Sequence, residues 1–254
     1  MSANKDPAMN FENRGMARIG VLVPFTNTNL EPDMMSMCAP GMTMHFQRMG
    51  GYDADEIPGS DQMAGLGASD ISRDLGMIAG ARPAAVLYGC TSATLTHGTS
   101  FDADLARRIK ESCGAPAFTA AGSLVESIAA LGIRDVAFSS PYLGEINRKA
   151  VEFLKLNGIN TVKCTDIGRE LGNYGQGELT PEEVFNLACS ADDPSSKAIV
   201  LSCTDMRSVE AIPKIESYLK KPVVSSNLAM MFCLMKALNL PRHSRLSGQL
   251  FAML

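Results

Sequence analysis

Val86-Leu87-Tyr88-Gly89-Cys90-Thr91-Ser92 and Ile199-Val200-Leu201-Ser202-Cys203-Thr204-Asp205 read almost alike. Each is an apolar run that ends in a small residue, then Cys-Thr, then a polar side chain. Short apolar runs bounded by turn residues are the pattern of strands buried on both faces of a parallel sheet. Cys90 and Cys203 stand 113 positions apart, and their flanks repeat too. Arg18–Pro24 and Val136–Pro141 are both apolar strands stopped by proline, and Pro116–Thr119 matches Pro222–Ser226 at an offset of 106.

Between these strands the pattern is helical. Ser69–Ala79 reads as a helix, as does Phe101–Cys113, with Leu105, Ile109 and Cys113 on one face. Ser123 and Glu126 have capping-box spacing, predicting a helix that opens there and stops at Gly132. A further helix spans Glu145–Asn157 before Gly158, followed by a strand at Thr161–Cys164. Thr180-Pro181-Glu182-Glu183 is a second capping box with proline at the first helical position. The methionine-rich stretch from Asn27 to Ile57 suggests a helix after Pro32 and a strand near Met42–Phe46.

Alternating strands and helices with short loops predict an α/β protein. It has two similar lobes, each a parallel sheet covered by helices, related by pseudo-twofold symmetry with the active site between them. Residues 17–120 with 225–254 form the first lobe, residues 121–224 the second, and residues 1–16 a disordered tail. Function in open parallel sheets gathers at the carboxyl ends of the strands. The two Cys-Thr elements, Pro24–Asn27 and Pro141–Tyr142 all occupy such ends, so four elements are expected to converge.

Composition narrows the chemistry. A net charge of −4 gives no reason to expect nucleic acid or an anionic membrane as partner. Seven cysteines are an odd number with no zinc spacing. With no signal-like or membrane-spanning run, they point to reduced thiols in the cytoplasm. His45, His97 and His243 lie at neither metal nor triad spacing, and His97 reads as a loop or cap residue. The cluster Gly168, Gly172, Gly175 and Gly177 suggests a mobile loop over the cleft rather than a dinucleotide site. Leu228–Leu240 is apolar beyond one face, which fits either a buried helix or the interface of a homo-oligomer.

A single buried cysteine is ordinarily a small hydrophobe. Two at matched positions of a repeat suggest a pair facing one cleft, acting as base and acid or as nucleophile and proton donor. A helix start after each thiol is expected to lower its pKa. Asn27 reads equally as a turn cap and as an amide donor to a carboxylate. Tyr142 reads equally as cleft wall and as a hydroxyl donor.

Gly20–Pro24 with Asn27 and Glu31-Pro32, Cys90-Thr91-Ser92, Ser140-Pro141-Tyr142, Cys203-Thr204 and Lys221–Asn227 together carry a resemblance. The chain resembles the maleate cis-trans isomerase and arylmalonate decarboxylase branch of the aspartate/glutamate racemase superfamily, over residues 17–240. The resemblance implies an enzyme without cofactor or metal that acts on a small carboxylate. It implies Cys90 as nucleophile and Cys203 as proton donor, with Asn27 and Tyr142 on substrate carboxylates. Thr91, Ser92 and Thr204 match oxyanion-binding turns, and Asn173 matches a binding asparagine in the glycine-rich loop. Glutamate racemases have Cys-Asn-Thr and Cys-Thr-His where this chain has Cys-Thr-Ser and Cys-Thr-Asp. The malonate decarboxylases have glycine where Cys90 stands. A two-cysteine isomerase of a dicarboxylate, most like maleate isomerase, fits best; the alternatives are decarboxylation and racemisation. A carboxylate-binding protein without catalysis is the non-enzymatic alternative.

Overall fold

Ile19–Val23 is fully buried on both faces, so Ala17–Pro24 (β1) can only be a central strand. It takes parallel neighbours on either side, Met42–Met49 (β2) and Ala85–Tyr88 (β3), and Ala117–Thr119 (β4) pairs outside β3. The second sheet repeats this plan with Asp135–Ser140 (β5), Asn160–Asp166 (β6), Ala198–Leu201 (β7) and Val223–Ser225 (β8). Its order β6-β5-β7-β8 copies the order β2-β1-β3-β4, and every pairing is parallel. The repeat read from the two Cys-Thr segments is therefore a repeat of topology. These descriptions come from a computed structural model covering residues 17–50, 59–142 and 144–254. The expected disordered tail at 1–16 and the end of the methionine-rich stretch lie outside the described residues.

The helices of the first half are Leu30–Ser36 (α1), Ser60–Ala68 (α2), Ser72–Ala79 (α3), Thr91–Leu95 (α4) and Thr99–Cys113 (α5). Ala120–Ala130 (α6) leaves β4 and leads to the second half. There follow Gly144–Leu156 (α7), Gly175–Glu178 (α8), Pro181–Ala191 (α9), Ser208–Leu219 (α10) and Ser226–Ala237 (α11). A 3-10 turn at Gln249–Met253 ends the chain. Thr180 caps α9 as its capping box predicts, accepting the Glu183 N–H at 3.2 Å.

The box expected at Ser123 is a correction. α6 begins three residues earlier because Thr119 accepts the Gly122 N–H at 2.9 Å, which leaves Ser123 buried inside the helix. Its counterpart is Ser225, which accepts the Leu228 N–H at the start of α11. α2 and α10 go beyond the sequence reading, and α10 carries Pro213 in its interior.

α6 and α11 leave equivalent strands and pack on each other, joining the two halves. Every residue of α11 from Ser226 to Met235 is buried within the chain, which settles its all-round apolarity as burial rather than an exposed interface. Each Leu or Met so buried contributes roughly 1.5–3 kcal/mol. One apolar cluster runs from Ile19 and Leu87 through Ile199 and Leu201 to Met230 and Leu234, so the two sheets share a core. Among the described residues, no helix is long and apolar enough to cross a membrane.

Candidate active site

In both sheets the strand order reverses direction at the junction of the two inner strands, the place where open parallel sheets form crevices. In the first sheet this junction carries Pro24–Asn27 and Cys90; in the second it carries Tyr142 and Cys203. All of Pro24, Asn27, Cys90, Tyr142 and Cys203 line one cavity of about 30 Å³. Thus the four expected elements do converge. Ser92, Thr204 and Asn173 line it as well, together with Met63 and Leu66 from α2. A second cavity of about 180 Å³ adjoins it and shares Tyr142 and Gln176 as walls.

The halves are stitched together at the cavity floor. Thr204 Oγ1 donates to Gly89 O at 2.9 Å and accepts from Asn27 Nδ2 at 3.0 Å. Asn27 Oδ1 accepts the Asn29 and Leu30 N–H groups at 3.1 and 2.9 Å. This asparagine therefore caps the start of α1, as its turn-cap reading expects, and also lines the cavity. Arg48 holds the same loop from below, donating to Asn27 O at 2.8 Å and pairing with Glu31 at 2.7 Å. Gly89 must be glycine, since a Cβ there would lie 2.1 Å from Leu30 Cδ2 and 2.9 Å from Leu22 O.

The side chain of Thr91 turns elsewhere. Its hydroxyl donates to Ser226 Oγ at 2.9 Å, and Thr91 is not among the cavity's lining residues. Ser92 faces the cavity, with its hydroxyl 3.8 Å from Cys90 Sγ and 2.9 Å from Met63 Sδ. The Tyr142 hydroxyl is in hydrogen-bonding reach of both Cys203 and Ser92. His97 bonds Ala64 O at 2.7 Å and stacks on Phe101, outside the cavity.

The thiols correct one expectation. Neither pKa is lowered, because desolvation outweighs the local N–H groups. Burial pushes Cys90 up, opposed by the N–H groups of Ala93 and Ser92 and by the Ser92 hydroxyl. Burial pushes Cys203 up to about 12, and the Asp205 carboxylate pushes the same way. α4 is a five-residue helix, and α10 starts only at Ser208, so no long helix dipole points at either sulfur. Asp205 itself is raised by burial to about 6 and is ionised at neutral pH.

Sequence reasoning missed Gln176 and the anchoring role of Asp205. Cys203 Sγ donates to Gln176 Oε1 at 3.4 Å, and Gln176 sits inside the glycine cluster, on α8. None of the described residues that line the cavity is Lys, Arg or His. Among the described residues, no group of three His, Cys, Asp or Glu side chains could hold a metal ion.

A sequence model of the arylmalonate decarboxylase family matches residues 19–251. The chain is 27% identical over 252 residues to a maleate isomerase of Geobacillus stearothermophilus, covering 92% of this chain and 97% of that one. It is 28% identical over 213 residues to the arylmalonate decarboxylase of Bordetella bronchiseptica, with 82% of each chain covered. A Nocardia farcinica maleate cis-trans isomerase has been solved with a covalently bound succinylcysteine intermediate. That structure superposes with a TM-score of 0.83 at 26% identity, over 92% of this chain and 98% of that one. With the family match spanning nearly the whole sequence, the chain is a member of the arylmalonate decarboxylase family.

Proposed function

We propose that this protein is a cofactor-independent isomerase that converts a small cis-unsaturated dicarboxylate, maleate or a close analogue, to its trans form. The observation that carries this reading is the pair of thiols on one cavity wall with unequal surroundings. Burial raises both thiols and both accept donors, Cys90 from the Ala93 and Ser92 N–H groups and the Ser92 hydroxyl, Cys203 from the Asp205 N–H and the Tyr142 hydroxyl. The difference is the Asp205 carboxylate, which pushes Cys203 further towards its thiol. That asymmetry fits a nucleophile opposite a proton donor.

The Cys90 thiolate adds to one alkene carbon, forming a C–S bond while the π electrons move onto the neighbouring carbon and its carboxylate. Cys203 gives its proton to that carbon, leaving a C–C single bond that rotates. Cys203 thiolate then removes a proton, the double bond re-forms and the C–S bond breaks, returning Cys90 as thiolate. Atoms and electrons balance with no external oxidant or reductant. Asn27, Ser92, Tyr142 and Asn173 would hold the substrate carboxylates and the charge that develops on them. Thr204, with its hydroxyl committed to Gly89 and Asn27, would act by holding Asn27 in place. For Thr91, committed to Ser226, only the backbone is left to serve an oxyanion turn.

A four-carbon diacid exceeds the 30 Å³ cavity that both thiols line, whereas moving Gln176 would join it to the 180 Å³ cavity alongside. Gly168 and Gly172, at φ of +71° and +63°, are natural hinges for that segment. The seven free thiols fit a reducing, cytoplasmic setting. Product analysis by NMR with maleate, aspartate and phenylmalonate tests the assignment. Fumarate from maleate supports it. Carbon dioxide from phenylmalonate, with Cys90→Ala retaining the activity, would replace it with the one-thiol decarboxylase reading.

A further inference from the structure

Among the described residues, Asp205 is the one carboxylate lining the reaction cavity, and its Oδ1 is committed to the protein. Oδ1 accepts the Thr28 N–H at 2.7 Å, the Asn29 N–H at 3.0 Å, Asn29 Nδ2 at 3.3 Å and Thr28 Oγ1 at 3.4 Å. Asn29 Nδ2 also donates to Asp205 O and to Gly177 O, both at 2.9 Å. The Asp205 N–H donates to Cys203 Sγ at 3.3 Å. The Asp205 carboxylate therefore holds the loop that carries Asn27, next to the turn that carries Cys203, and the helix that carries Gln176 is tied to this joint through Asn29. That helix can approach only because Gly177 has no side chain, since a Cβ there would lie 2.6 Å from Thr28 Oγ1 and 3.0 Å from Asp205 Oδ2.

We propose that Asp205 is a positioning residue for the two-thiol reaction: its carboxylate fixes the Asn27 loop and, through Asn29, the Gln176 segment around Cys203 and reserves that thiol as the proton donor. The inference rests on the functional reading above. A fixed negative charge beside Cys203 disfavours its thiolate and leaves its thiol untouched. The other titratable groups around this pair are Cys90 and Tyr142 in the cavity and the buried Asp33 behind it. Arg207, whose charge lowers the Asp33 pKa, is held by Glu210 at 2.9 Å. Among the described residues, the cavity wall supplies no cation to offset Asp205.

The test uses iodoacetamide labelling of the substrate-free protein at about pH 8, with Cys203 and Cys90 quantified by peptide mass spectrometry. Both thiols line one cavity, so Cys90 reports access while the ratio reports charge. Asp205→Asn keeps an acceptor for Thr28 and Asn29 and is expected to raise the Cys203-to-Cys90 ratio about tenfold, one pKa unit's worth of thiolate. Gly177→Ala keeps the charge but lifts the Gln176 segment, so both thiols should label faster at an unchanged ratio. An unchanged ratio in Asp205→Asn, no Cys203 labelling at all in it, or the same rise in Gly177→Ala overturns the proposal. Asp205→Ser gives the same reading if the asparagine variant does not fold. Because no substrate is used, the result stands apart from whether maleate is turned over.

Discussion

Replacing Thr204 by valine probes the stitch between the two halves. Valine has nearly the shape of threonine, so packing is retained while the hydroxyl is lost. Two buried bonds go with it, one to Gly89 O at 2.9 Å and one from Asn27 Nδ2 at 3.0 Å. An orphaned buried polar group costs about 1–3 kcal/mol, and two are created here. Asn27 faces the cavity, where water can partly replace its lost partner. Thr204→Val should therefore destabilise the protein by about 2–4 kcal/mol. Thr204→Ser keeps the hydroxyl and should cost no more than about 1.5 kcal/mol, the value of a methyl group with its small cavity. Urea unfolding measures both, with the midpoint falling at unchanged slope. A residue that only touched substrate would leave the ligand-free midpoint where it was. A loss below about 0.5 kcal/mol in the valine variant would refute the argument that this hydroxyl joins the sheets.

Two further outcomes follow from buried groups. Burial raises Asp33 to about 7, so the folded state binds this proton more tightly than the unfolded chain, and stability falls as pH climbs from the ordinary aspartate value of 3.8 towards 7. Asp33→Asn retains an acceptor for Asn227 Nδ2 and removes that loss. Its melting temperature should match the parent at about pH 4 and exceed it at about pH 8, with a ceiling of about 4 kcal/mol; a gap that does not widen with pH counts against it. Gly89→Ala should cost about 1–3 kcal/mol by overpacking against Leu30 and Leu22 O. It should also depress turnover beyond the stability loss by displacing Cys90, which thermal melts and initial rates together would show.

Much of the fold is legible in the sequence because it is written twice. Matching strand ends at Cys90 and Cys203, and at Pro24 and Pro141, imply a duplicated unit before any contact is known, and the shared strand order is seen only in the structure. Helix boundaries are less legible where local signals compete. Ser123 and Glu126 have the right spacing for a cap, yet Thr119, at the end of β4, takes the Gly122 N–H first. The turn-cap role of Asn27 is local and legible, whereas its bond to Thr204 spans 177 positions and leaves no trace in the sequence. Thiol electrostatics were misread for a similar reason. The local sequence suggests helix starts, whereas burial and the Asp205 charge dominate once the sheets pack. Gln176 had no signal beyond its place in a glycine cluster, and its contact with Cys203 arises only in the folded chain, across 27 positions.

The central claim is that Cys90 forms the bond to substrate while Cys203 moves the proton. Incubating Cys203→Ser with maleate and mapping the modified peptide tests this most directly. The account predicts one maleate-derived adduct on Cys90, none in Cys90→Ser, and isomerisation lost in both variants. Undiminished turnover in either variant, or an adduct on any other cysteine, would contradict it.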